Sequence, residues 1–132
     1  MVPALLQVHS ATRYLVLTAA LIALGKLAFS RARRQPFGEV DRLLGSTFLG
    51  LLDFQIALGV AMVAGGVFYR ALIGHMVLML SAAGVAHGAL VANRRRRQPG
   101  LDLPLAAVAA ALLLMAVGIA AIGRGLLEAR AL

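Results

Sequence analysis

Four long apolar stretches, at residues 3–29, 43–66, 71–93 and 103–123, decide what this chain can fold into. The hydrocarbon core of a bilayer is about 30 Å thick, and about 20 mostly apolar residues in helix are needed to cross it. Each stretch meets that length, so the sequence predicts an all-α protein. The expected fold is a single domain over residues 1–132, an integral membrane up-down four-helix bundle. The composition agrees: 61% of the residues are hydrophobic and 14% are charged, and the mean hydropathy is +0.91. A soluble domain is about 45–50% apolar and about 25% charged. The runs are too long and too continuous for the alternating strands of a transmembrane barrel, and they lack coiled-coil heptads. With no cysteine in the chain, disulfide scaffolds, zinc-thiolate sites, iron–sulfur clusters and cysteine nucleophiles are excluded.

Three connectors separate the spans, at residues 30–42, 67–70 and 94–102. The third reads RRRRQPGLD, and Pro99 and Gly100 in it break helix. Asp102 followed by Leu103-Pro104 reads as a helix start, and Pro3 plays the same part in the first span. No basic residue precedes Arg13, so the first span reads as a membrane helix and not as a cleavable leader.

Lys26, Arg31, Arg33, Arg34, Arg42 and Arg94 to Arg97, nine of the thirteen basic residues, flank the first and third connectors. Arg70, Arg124 and Arg130 lie on the opposite side. Basic residues favour the cytoplasmic side, so both termini are expected outside (periplasmic) and both basic connectors in the cytoplasm of a bacterial plasma membrane. The net charge of +8 sits beside spans, and the chain has no Trp. The run Arg94–Arg97 is therefore read as an anchor on anionic lipid, and nucleic acid is not an expected partner.

Ionisable and strongly polar residues inside spans are costly, and they are the candidates for function. Here they are His9, Arg13, Asp53, Gln55, His75 and His87. At about 1.5 Å per residue, His9 lies about 9 Å and His75 about 7–8 Å below the outer surface. Their helices are expected to be diagonal neighbours, so the two imidazoles share one layer and are placed to hold the iron of a flat macrocycle between them. Arg13 lies one turn below His9, and its side chain leans outward, where a guanidinium meets a carboxylate such as a haem propionate. Small residues near His75 (Ser81, Ala82, Ala83, Gly84) and on the His9 face (Thr12, Val16, Ala20) leave room for a flat ligand, as does Met79. The same small residues also serve close helix packing.

His87 follows His75 by twelve residues, which sets the two about 120° apart around the helix. No His on the second or fourth span opposes it, so a second haem is not expected. Asp53 lies mid-span with Gln55 two residues on, and its candidate partners are His87 and Arg13. Asp53, His87 and Gln55 read either as a proton relay or quinone headgroup site, or as a polar clasp between the second and third helices. The fourth span has no polar side chain; it is expected to carry no chemistry and to use its small residues, such as those around Gly118, for packing.

The segments HSATRYLVL, LDFQIALG and GHMVLMLSAAGVAH resemble those of small four-helix b-type membrane cytochromes of bacteria. The likeness covers nearly the whole chain in architecture and about thirty residues in motif. It implies one haem b with His9 and His75 as axial ligands and Arg13 beside it. It also implies exchange of single electrons with a quinone or a partner redox subunit.

Other readings compete with this one. The chain reads also as a cofactor-free accessory subunit of a larger membrane complex, with partner subunits or a second copy around it. A chlorophyll-type pigment protein, one His on magnesium, is a third reading. A small proton-coupled transporter using Asp53 is a fourth, against which stands the lack of internal repeats or broken helices. Enzymatic turnover is expected only through haem, since the chain has no triad, phosphate loop or paired carboxylates.

Overall fold

The computed structural model describes residues 2–122, and these form four helices and their connectors. The helices are α1 (Val2–Ala32), α2 (Glu39–Ala64), α3 (Leu72–Arg94) and α4 (Asp102–Ala121). All four are long and apolar enough to cross a membrane, which makes the chain a multi-pass membrane protein. Gly123, Arg124 and Arg130 lie outside the described residues. α1 runs three residues beyond the expected span and α2 begins four before it, because helix continues through the polar flanks of each apolar run.

Local chemistry explains the boundaries. α1 ends in a Schellman motif: the Gln35 N–H donates to the Ser30 carbonyl (2.8 Å) and the Arg34 N–H to that of Arg31 (3.1 Å). α2 ends the same way, with Val67 N–H donating to Met62 (3.1 Å) and Gly66 N–H to Val63 (3.0 Å). The motif places its pivot residue in the left-handed region. Glycine takes that conformation in Gly66 (φ 100°), whereas Arg34 adopts it (φ 55°) with a full side chain. At the start of α2 the Gly38 N–H donates back to Asp41 Oδ2 (2.9 Å), so a side chain caps a backbone donor that the helix itself leaves unsatisfied.

Close contacts fix how the helices lie. His9 packs by Gly59 near one end of α1 and α2, and Lys26 meets Asp41 at the other, so the two run in opposite senses. α3 and α4 are paired through His75 and Gly118, and α2 and α3 meet through Gly45 and Leu90. Arg31 at the end of α1 makes an ion pair with Asp102 at the start of α4. The hydrogen bond and the charge of Asp102 hold the Arg31 guanidinium above its ordinary pKa.

The packing is turned inside out relative to a soluble protein. Leu15, Leu21, Phe54, Phe68 and Leu113 are exposed, whereas Arg13, Asp41, Gln55 and Asn93 are buried. An apolar exterior suits hydrocarbon, where only polar groups need protein to satisfy them. The core joins Val16 to Leu27 on α1, Phe48 to Leu52 on α2, Ala82 to Leu90 on α3 and Val108 to Met115 on α4. It fills the half of the bundle nearer the two basic connectors. In the other half α1/α2 and α3/α4 stand apart, and a cavity lies between them.

Candidate functional site

The cavity has a volume of about 140 Å³, and all four helices line it. His9 and Arg13 enter from α1, Gln55 and Gly59 from α2, and His75 and Met79 from α3. The core residues Val16, Leu52 and Met115 form its floor. Both histidines of the expected layer therefore line one space, reached from opposite helix pairs.

Each ring is set by its surroundings. The His75 Nδ1 stands 2.8 Å from the Gly118 carbonyl. A carbonyl only accepts, so Nδ1 carries a proton. This is the outer-shell arrangement that orients metal-ligating histidines elsewhere. The His9 ring lies against Gly59, where an added Cβ would come within 3.4 Å of Cε1. Gln55 Nε2 donates to the His9 backbone carbonyl (2.9 Å), which ties α2 to α1 at that level. Gln55 is 8% exposed, and its Oε1 has no hydrogen-bond partner among the described residues.

Arg13 is 7% exposed. Its Nη2 donates to the Tyr14 hydroxyl (3.2 Å), and its Cζ lies 5.0 Å from the centre of the Tyr14 ring, close enough for a cation–π attraction. A guanidinium thus sits at the wall of a mostly apolar cavity.

Of the residues expected to leave room beside the histidines, Val16 and Met79 line the cavity. Ala20 and Ala82 belong to the core below, Thr12 bonds back to the Val8 carbonyl, and Ser81 and Gly84 face outward. Gly59 and Gly118 let side chains close on backbone: a Cβ at Gly118 would fall 3.7 Å from His75 Nδ1 and 2.5 Å from Met79 Cε. α4 contributes to the site through backbone, which its apolar side chains give no hint of. Met62, Met76, Met79 and Met115, every methionine among the described residues, line the cavity. Of these the sequence reading had singled out only Met79.

Asp53, His87 and Gln55 do not form one site. His87 Nε2 donates to Asp53 Oδ1 (2.7 Å), and this pair lies on the outer surface along the α2/α3 seam, with the side chains 43% and 53% exposed. Gln55, two residues on from Asp53, points inward to the cavity, and Arg13 is not the partner of Asp53. Asp53 and His87 are thus turned away from the interior of the bundle. The run Arg94–Arg97 is exposed at the end of α3.

Among the described residues, no three His, Asp or Glu side chains gather as a metal bound by protein alone would need. Comparison with protein-family models, with characterised proteins and with solved structures found no match to this chain.

Proposed function

We propose that this chain is a membrane electron-transfer protein that holds one haem b between His9 and His75. The observation that carries the reading is that these two histidines, from opposite helix pairs, line one apolar cavity. The donor set suits the group: two imidazoles at the walls, one of them oriented by its bond to Gly118. Gly59 lets the His9 ring, and Gly118 the end of Met79, lie close against helix backbone, and Arg13 brings a buried guanidinium to the cavity wall.

When bound, haem b would supply a one-electron iron couple suited to electron transfer, with His9 and His75 as the residues that would hold it. The chain's own groups do the rest. Gly118 orients the His75 ring, and Gln55 holds the backbone that carries His9. Arg13 offers its positive charge to a propionate. The methionines and aliphatic side chains make most of the cavity wall apolar, which strengthens the polar contacts beside it.

In this reading the basic residues set the orientation. The connectors rich in Lys and Arg face the cytoplasm of a bacterial plasma membrane, with Arg94–Arg97 on anionic lipid. The termini and the cavity then lie toward the periplasmic side. The electron partner is a quinone or a redox subunit.

Expression with a haem precursor, followed by purification and a visible spectrum, tests the proposal. The expected result is one haem per chain with a sharp α-band on reduction. A colourless folded protein that takes up no added haem contradicts it.

A further inference from the structure

The Asp53–His87 pair lies on the surface that the fold turns toward lipid, with 53% and 43% of the side chains exposed. Ionisable side chains at membrane depth face protein or a water-filled space, because hydrocarbon solvates neither partner. The backbone around the pair is bare. Gly50 lies one turn from Asp53, and Gly84 and Gly88 flank His87; all three are exposed, and a Cβ on any of them would meet nothing within 4 Å. α3 is the least buried helix, with 17% of its most apolar stretch buried against 39% for α4.

We infer that this α2/α3 face is the contact between two copies of the chain, related by a two-fold axis along the membrane normal. The argument is complementarity. The pair uses one oxygen of Asp53 and one nitrogen of His87; the second carboxylate oxygen is an acceptor, and the second ring nitrogen is the matching donor in the doubly protonated ring. A two-fold contact sets α2 of one copy opposite α3 of the other. The Asp53 carboxylate then faces His87 of the partner subunit, and the reverse contact forms by symmetry. Both copies keep their pairs at one depth, so the match needs no shift along the membrane normal. Gly84 and Gly88, four residues apart, let the backbones approach closely enough for these side chains to meet. An unrelated subunit has no such built-in match. The inference does not rest on the haem reading.

The absence of native cysteine makes single-cysteine cross-linking clean. Gly88→Cys places a thiol on this face, and Leu113→Cys places one on the exposed surface of α4, where Leu113 is 66% exposed. In vesicles at high lipid-to-protein ratio, oxidation is expected to link Gly88→Cys into a dimer and to leave Leu113→Cys monomeric. Gly84→Leu fills open space, so it is expected to leave the thermal unfolding of the protomer unchanged. In the same variant the dimer is expected to be lost in sedimentation equilibrium. A monomeric wild type overturns the inference, as does equal cross-linking at both sites, a dimer that survives Gly84→Leu, or a native mass showing one chain with a different protein.

Discussion

The Nδ1 of His75 on α3 is bonded to the backbone carbonyl of Gly118 on α4, 2.8 Å away. A helix whose one polar side chain, Asp102, lies at its far end thereby sets the tilt of a ring in the cavity. The bond exists because α3 and α4 approach closely at a residue that lacks Cβ.

That closeness gives a first prediction. In Gly118→Ala the new methyl would sit 3.2 Å from Leu78 Cβ, which is backbone-anchored, and 2.5 Å from the flexible end of Met79. α3 and α4 must then part, and overpacking of this kind costs about 1–3 kcal/mol. Thermal unfolding in detergent is expected to show a loss of that size; an unchanged midpoint would mean that α4 gives way without strain.

A second prediction concerns the opposite end of the bundle. The Asp41 side chain is 1% exposed and lies 3.0 Å from Lys26 Nζ, while Lys26 is 29% exposed. Ser30 joins the same knot. Lys26→Met strands a buried carboxylate, a change that costs about 3–5 kcal/mol. Asp41→Asn leaves Lys26 able to reach water along its stem and keeps an oxygen for the Gly38 N–H. The expected order of stability is wild type, then Asp41→Asn, then Lys26→Met, read from unfolding midpoints.

Asn93 supports the third. It is fully buried, and its amide bonds both the carbonyl and the N–H of Gly100, each at 3.0 Å. Asn93→Ala leaves two backbone groups unsatisfied, at about 1–3 kcal/mol for each that stays buried. Limited trypsin digestion is expected to nick the Arg94–Arg97 run faster in the variant, at full occupancy of the fold. Equal rates would show that Asn93 does not hold the connector.

The two helix ends that share one motif predict opposite signs. Arg34→Gly relieves a left-handed residue that carries a side chain, and Gly66→Ala creates one. Each is expected to shift stability by about 1 kcal/mol, the first upward and the second downward. Denaturant midpoints check both, and a destabilised Arg34→Gly counts against this reading of the α1 terminus.

The spans were legible because apolar length alone states them. Depth arithmetic set His9 and His75 in one layer, and both line one cavity. It named His87 among the candidate partners of Asp53, and the two are paired. Facing was harder to read. Two residues along a helix turn about 200°, so Gln55 enters the cavity while Asp53 faces outward; a two-residue spacing in sequence conceals that split. The Gly118 carbonyl was illegible for a different reason: backbone is the same in every sequence, and only the packing of α3 on α4 selects which carbonyl a ring meets. Gly59 left a trace, a glycine one turn from Gln55, but nothing in the pattern tied it to His9.

The claim that two imidazoles share one iron is tested most directly by the spin state of the oxidised protein loaded with haem. The account predicts a low-spin, six-coordinate spectrum for wild type. It predicts conversion to a high-spin form in His9→Ala and in His75→Ala taken singly, and no uptake when both are replaced. A low-spin spectrum that persists in either single variant, or a wild type that binds no haem, would contradict it.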